Sequence, residues 1–325
     1  MATSAQAHHF FQARLGERSL ASNLLPRLIA VYSWFLNAGL IERKFEAAIE
    51  AGHDPEYPQN LSEMLVAHRL HQAGFALKRS SRRGGPDFIA VKDGVKIQVE
   101  VITPKALPKV DAYLNRPKVG VFPVPLQDFL MCWTKGIAAK VKQLLGDGDT
   151  PGWLEKKLVD ERAPFVIAVN GCLFSGLFDE GFRPPLGDHP WVATALYAIS
   201  DPTIRFDPQT GQRLWAGFEH RKELSRTDKA AIPLDTFLDL GYTSVSAVWA
   251  MSLGEFDLLH DAPAVLPRQS YASAVLHNPS AKVELGVGHL PAYEEWSVTP
   301  DAEGYGVTLV LDARPKVQEA KPPAA

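Results

Sequence analysis

The chain has 325 residues, of which 46% are hydrophobic and 22% are charged, as in an ordinary soluble globular protein of about two domains. Its net charge of −3 argues against a generally basic nucleic-acid-binding protein. Two cysteines are too few for a disulfide framework, and we expect neither a secretory signal nor a membrane span, so the sequence predicts a cytoplasmic protein.

The N-terminal part, residues 1–57, is predicted to be helical. Residues 1–17 have the composition of a weakly ordered segment. Residues 20–52 carry apolar residues at helical spacing, which predicts two helices. Pro26 is expected to separate or kink them, because proline lacks the amide that an interior helical turn uses.

Residues 58–172 read as one α/β unit. A helix over residues 61–73 precedes three short strands, and Lys92-Asp93-Gly94 is a hairpin signal between the last two. The proline-rich residues 103–125 are predicted to be an extended loop. A helix over 126–145 and a fully apolar strand over 164–170 complete the order helix, strand, strand, strand, helix, strand, which predicts a mixed central sheet.

Residues 173–312 are predicted to form an accessory α+β region. Turn-forming residues 207–211 separate two strand candidates, and further strands are expected within residues 242–251 and 305–313. The last residues, 313–325, are predicted to be a disordered tail.

Two carboxylates stand on strands where apolar residues are the default. Asp87 opens one strand of the hairpin and Glu100 lies on the other, so the two are expected to converge. Close carboxylates repel each other and raise each other's pKa. A hard divalent cation resolves that conflict, and Glu63 on the preceding helix is a third candidate carboxylate.

These residues occur in a familiar arrangement. A helix with Glu63, then Gly85-Pro86-Asp87-Phe88, a strand with Gln98-x-Glu100, a lysine-bearing helix and a final strand resemble the PD-(D/E)XK nuclease superfamily. The resemblance covers residues 58–172, about a third of the chain. It implies a restriction-endonuclease-like αβββαβ core, Mg²⁺ or Mn²⁺ as cofactor, and hydrolysis of phosphodiester bonds of DNA, with RNA as the alternative.

One position departs from the superfamily pattern. The pattern places a lysine two residues after Glu100, but this chain has Ile102 there. Some branches of the superfamily supply that lysine from the following helix, where Lys140 and Gln143 lie three residues apart and share a face. Lys105 is the other candidate for the missing cation.

The resemblance implies a role for each candidate. It assigns catalysis to Glu63, Asp87, Glu100, Lys140 and Gln143. It assigns the metal to Asp87, Glu100 and the carbonyl of Val101.

Charge is unevenly distributed along the chain. Residues 58–172 hold 17 Lys and Arg against 11 Asp and Glu, whereas the rest of the chain is acidic. A local positive field attracts a polyanion, and Arg79, Arg82, Arg83 and Lys105 are candidate contacts to nucleic-acid phosphates. The sequence leaves open whether the protein forms a homo-oligomer or binds a protein partner.

Each candidate also has a simpler explanation. Asp87 suits a turn acceptor, Glu100 suits a partner for an arginine on a half-exposed sheet face, and Glu63 complements a helix dipole. Lys140 and Gln143 suit a solvated helix surface. Under that interpretation the chain is a catalytically inactive nuclease-fold protein that binds nucleic acid or protein.

Three further groups are weaker candidates. His68 and His71 have a spacing compatible with a metal, but a polar helix face explains them better. Cys172 is better explained as a small buried side chain than as a nucleophile. His277 lies in residues 276–281, which are predicted to form a turn beginning at Asn278-Pro279, and is a speculative site residue.

Overall fold

The computed structural model describes residues 4–16, 21–80, 84–117, 119–174, 181–184, 189–226, 229–259, 272–301 and 304–313. Two predicted phosphate contacts, Arg82 and Arg83, and the predicted tail from residue 314 onward lie outside these ranges. Within them, no helix is both long and apolar enough to cross a membrane.

Helices come first in the chain and then alternate with strands. The described α-helices are α1 (Ser4–Leu15), α2 (Ala21–Asn37), α3 (Arg43–Ala51), α4 (Tyr57–Gln72), α5 (Pro108–Leu114), α6 (Leu126–Leu145) and α7 (Trp191–Tyr197). Two short 3₁₀ turns, Leu240–Tyr242 and Glu255–Leu259, lie on either side of a late strand.

Twelve strands are described. The first four are β1 (Ala76–Arg79), β2 (Phe88–Lys92), β3 (Val95–Ile102) and β4 (Phe165–Asn170). The others are β5 (Ile199–Phe206), β6 (Arg213–His220), β7 (Glu223–Arg226), β8 (Lys229–Pro233), β9 (Ala247–Met251), β10 (Ser273–His277), β11 (Glu294–Asp301) and β12 (Gly304–Asp312).

Eight of these strands form one mixed central sheet, in the order β1-β2-β3-β4-β9-β10-β11-β12. The first three run antiparallel, and β3, β4 and β9 are mutually parallel. The β2–β3 turn has positive φ at Asp93 (51°) and Gly94 (77°), as two-residue hairpins require. The protein is therefore an α/β protein with N-terminal helices and a mixed eight-stranded sheet.

The accessory region does not stand apart from this sheet. Strand β9 pairs directly with β4, and three more strands continue the same sheet beyond it. The expected boundary at residue 172 thus falls between two neighbouring strands. The two-stranded pairs β5-β6 and β7-β8 are separate from the central sheet, and β5-β6 carries the predicted turn at residues 207–211.

Helices cover both faces of the sheet at its β3–β4 centre. On β3, Val99 and Val101 pack into the core that contains α1–α4. Side chains alternate along a strand, so Glu100 and Ile102 face the other way, and Ile102 packs on the core built around α6 and α7. Glu100 therefore points toward the α6 side of the sheet.

The N-terminal segment is better ordered than its composition predicts. Residues 4–15 form α1, and Ala7, Phe10, Phe11 and Leu15 are buried. Phe11 contacts Tyr32 of α2 edge-to-face at 5.8 Å between ring centroids. The prediction that the start of the chain is weakly ordered was wrong for residues 4–15, because their apolar side chains pack into a core whose other members come from later helices and strands.

Proline positions account for two further corrections. Pro26 lies inside α2 rather than between two helices; it is in the second turn, where its missing amide removes one hydrogen bond only. The segment predicted to be an extended loop contains α5, which begins at Pro108. The first turn of a helix accepts proline without loss, because those amides have no partner within the helix.

Candidate active site

Four carboxylates converge near the carboxyl end of β3. Glu42 precedes α3, Glu63 lies on α4, Asp87 directly precedes β2, and Glu100 lies on β3. Glu63 and Glu100 are buried, whereas Glu42 is exposed. Each comes from a different element, so only the tertiary fold brings them together.

The hairpin fixes Asp87 against β3. The backbone amide of Asp87 donates to Glu100 Oε2 at 3.1 Å, and the amide of Val101 donates to Asp87 Oδ2 at 2.8 Å. Asp87 directly precedes Phe88, which forms the last β2–β3 pair with Val99. The Asp87 side chain therefore lies beside the end of β3. The two carboxylates are held in fixed positions by backbone donors.

Arg79 lies within this group of acids. Its guanidinium contacts Glu63 Oε2 at 2.6 Å, Asp87 Oδ1 at 3.1 Å and Glu42 Oε1 at 3.4 Å. Its Nε donates to the carbonyl of Leu40 at 2.6 Å. The sequence suggested a phosphate contact for Arg79; here the guanidinium instead neutralises carboxylates.

Lys140 reaches the same group from α6. Its Nζ donates to Glu100 Oε1 and lies 3.4 Å from Gln143 Oε1. The Lys140 side chain is only 17% exposed and that of Glu100 only 4%. Neither residue has the solvated environment that the simpler explanations required. Ile102, at the position of the expected lysine, packs instead among apolar side chains.

Gln59 ties α4 to the end of β3. Its amide nitrogen donates to Glu63 Oε1 and to the Val101 carbonyl, each at 3.1 Å. Its amide oxygen accepts from the Thr103 backbone amide at 2.8 Å. The Val101 carbonyl, an expected metal ligand, thus accepts a hydrogen bond from Gln59.

Burial and mutual repulsion make these acids weak. Burial and then the charge of Asp87 raise the pKa of Glu63 from 4.5 to about 7. Burial and then the charge of Glu100 raise the pKa of Asp87 from 3.8 to about 7. Burial also raises the pKa of Glu100, against the attraction of Lys140. Burial lowers the pKa of Lys140, but Glu100, Asp87 and Glu63 together outweigh burial and the net shift is upward.

The donor set fits a divalent metal ion. Glu42, Glu63 and Asp87 each offer an oxygen, and these oxygens lie within 4.8 Å of one another. Counting Glu100 as well, four carboxylates face two cations, Arg79 and Lys140. Carboxylate oxygens are the ligands that Mg²⁺ and Mn²⁺ prefer, and the excess negative charge adds to burial in raising the pKa values of Glu63 and Asp87.

A cavity of about 500 Å³ opens onto two of these acids, Glu42 and Asp87. Its lining among the described residues includes Glu42, Arg79 and Asp87. The remaining lining comes from the α2–α3 connection and from the segment before β2: Gly39, Ile41, Arg43, Lys44, Ser80, Gly84, Gly85 and Pro86. The candidate site is therefore open to a ligand from this side.

Several predicted residues lie elsewhere. Lys105 is exposed beyond the end of β3. His71 stacks on Trp34 with centroids 4.6 Å apart, and His68 contacts the same ring edge-on, so this helix face packs against α2. His277 lies on β10 and contacts Glu295 Oε2 at 2.7 Å. It lies three strands from β3 in the sheet.

Cys172 has the environment of an inert thiol. Burial, the largest cause, raises the pKa of its thiol to about 12. The thiolate is the nucleophilic form, so this environment disfavours nucleophilic chemistry.

Two residues of the site were not found from sequence. Gln59 lies four residues before Glu63 on one helix, a spacing at which side chains meet, and that signal was present. Glu42 had no such signal, because it joins the others only where the α2–α3 connection contacts Arg79 of β1.

Comparisons with models of protein families, with curated proteins and with solved structures find no match to this chain. Inference about its function therefore starts from the geometry of the carboxylate group.

Proposed function

We propose that the protein is a metal-dependent nuclease that hydrolyses phosphodiester bonds of DNA, with RNA as the alternative substrate. The observation that carries this proposal is the meeting of Glu42, Glu63, Asp87 and Glu100 around Arg79 and Lys140 beside an open cavity. Placing four carboxylates close together costs free energy, because like charges repel each other. Such groups of acids are typical of sites where they bind a cation or take part in a reaction.

The element order supports the same proposal. Helix α4, strands β1, β2 and β3, helix α6 and strand β4 follow one another in the αβββαβ order of the PD-(D/E)XK core, with α5 as an addition. We propose that residues 58–172 are a restriction-endonuclease-like core, extended here by four strands from the accessory region.

The proposed chemistry uses the carboxylates as metal ligands and Lys140 as a cation beside the reacting water. Mg²⁺ or Mn²⁺ held by carboxylates lowers the pKa of a bound water and offsets charge on a phosphate. Asp87 is the proposed central ligand, with Glu63, Glu42 and Glu100 as the carboxylates around it. In the hydrolysis the water loses a proton and bonds to phosphorus, while the bond from phosphorus to one sugar oxygen breaks and that oxygen leaves as a hydroxyl. Lys140, on Glu100, is the group proposed to hold the water and to stabilise the charge that develops. It would replace the lysine that is missing at Ile102.

A nuclease assay tests this proposal. Purified protein is incubated with plasmid DNA, single-stranded DNA and RNA in Mg²⁺, in Mn²⁺ and in a chelator. We expect metal-dependent cleavage that Asp87→Asn and Glu100→Gln each abolish, while Glu161→Gln, at an exposed position, cleaves like the wild type. Cleavage that survives both site substitutions would rule out this site.

One observation favours a second function. Arg79 already contacts three of the four carboxylates, as a permanent internal cation would in a catalytically inactive relative. In that case the protein is a nucleic-acid or protein interaction module. Calorimetric titration with Mn²⁺ separates the two: the nuclease binds the ion, and the module binds nucleic acid without it.

A further inference from the structure

The cavity beside the acids is partly open to solvent and has a volume of about 500 Å³. Cavities of roughly 300–1,000 Å³ hold one ligand of drug size, and a single nucleotide is a ligand of that size. A double helix, whose major groove alone is about 12 Å wide, does not fit into such a space.

The walls of the cavity differ in character from its acidic end. Arg43 and Lys44 are exposed cations on the α2–α3 side, where they attract phosphate oxygens. Ile41, which is partly exposed, adds apolar surface to the same cavity. Cations, apolar surface and acids thus line one space.

The wall at Gly85 admits no side chain. Gly85 has φ +108°, and a Cβ there would lie 2.9 Å from Ser80 Oγ and 3.0 Å from the Leu158 carbonyl. Glycine at this position keeps backbone, rather than a side chain, beside Asp87.

We propose that this cavity receives one unpaired nucleotide at the free end of a strand, so that the protein acts on single-stranded ends and not within closed strands. This inference rests on the proposed nuclease function and specifies its substrate. The phosphates that follow the end nucleotide lie along Arg43 and Lys44, and the end nucleotide brings its phosphodiester to Asp87.

Circular and linear forms of one single strand test the inference. A covalently closed single-stranded DNA circle and the same circle cut once are incubated with the protein in Mg²⁺ or Mn²⁺. We expect the linear strand to shorten from an end at least 100-fold faster than the circle is opened. Equal rates would overturn the inference while leaving the nuclease function intact. Cleavage of neither form, nor of duplex or RNA, would overturn both.

Charge reversal supplies an independent readout. Arg43→Glu and Lys44→Glu are expected to weaken binding of an internally labelled linear strand at least 10-fold, measured by fluorescence anisotropy. The matched control is Lys282→Glu. Lys282 is exposed and lies near Phe165 and Ser246, where the parallel strands begin. It is therefore at the opposite end of these strands from the acids. Unchanged binding in both cavity variants would overturn the placement of the strand in this cavity.

Discussion

The ammonium group of Lys140 donates to a carboxylate oxygen of Glu100 across the interface between α6 and β3. Both side chains are mostly shielded from water, which strengthens their attraction. The pair places a cation beside the acids, although the strand itself carries Ile102 where the superfamily has lysine.

Lys140 is expected to matter for both catalysis and stability, because its removal leaves the buried Glu100 carboxylate without its cation. Replacement by methionine keeps the aliphatic packing and removes the charge, and loss of one such group costs about 10²–10³-fold in kcat. We expect this loss with little change in KM. Lys135→Met on the exposed side of α6 is the control. A Lys140→Met variant with wild-type kcat would exclude a catalytic role.

The raised pKa values predict how the metal-free protein responds to pH. Glu63 and Asp87 have folded pKa values of about 7, above their usual 4.5 and 3.8. Between about pH 4 and 7 the folded state retains protons that the unfolded chain has lost, so stability falls as pH rises through this window. Thermal unfolding in a chelator measures the effect. The double variant Glu63→Gln, Asp87→Asn should reduce this dependence, and an unchanged profile would contradict the assignment.

Metal binding is expected to stabilise the protein, and more so at higher pH. Bound carboxylates must be deprotonated, so affinity rises as pH increases through about 7. Mn²⁺ at about 100 times its Kd adds about 2.7 kcal/mol to the free energy of unfolding. Differential scanning fluorimetry with and without Mn²⁺ detects the shift. Asp87→Asn should lose it and Glu161→Gln should keep it; equal shifts in both would place the metal elsewhere.

Gln59 is expected to hold the site together. Gln59→Leu leaves the Thr103 amide and the Val101 carbonyl without their partner, which costs about 1–3 kcal/mol. Urea unfolding measures this loss. Gln72→Leu, on the exposed end of the same helix, should change stability little. A difference of less than about 0.5 kcal/mol between the two variants would show that the bridge is not structural.

The glycines of the hairpin and of the cavity wall offer a matched comparison. Gly94 has φ +77° and open space where the methyl group of an alanine would lie, so Gly94→Ala costs only the backbone strain, about 1–2 kcal/mol. Gly85→Ala adds contacts of 2.9 and 3.0 Å, and we expect about 2–4 kcal/mol. Equal losses on urea unfolding would show that Ser80 and Leu158 move aside.

Local patterns were enough to predict the elements around the site. The order of helix and strands over residues 58–172, and the hairpin turn at Asp93-Gly94, follow from periodicity and turn chemistry. The meeting of Asp87 with Glu100 follows from the same hairpin. These features involve residues that are close in sequence.

Features that depend on distant packing were not predictable. Strand β4 is apolar on both faces, and such a strand carries no signal that identifies its outer neighbour. The sequence around Arg79 suggests a surface cation, because nothing in it shows that the α2–α3 connection and α4 lie against this residue. Glu42 joins the acids through that same packing.

The pairing of β4 with β9 also sets an order for synthesis. The partners Val166 and Ala247 are about 80 residues apart, so β4 leaves the ribosome well before its outer neighbour exists. During that interval a strand that is apolar from Phe165 to Val169 has one unpaired edge, the kind of surface that aggregates in partly made chains. Strand β4 of the proposed catalytic core therefore gains its outer partner only after the accessory region has been translated as far as β9.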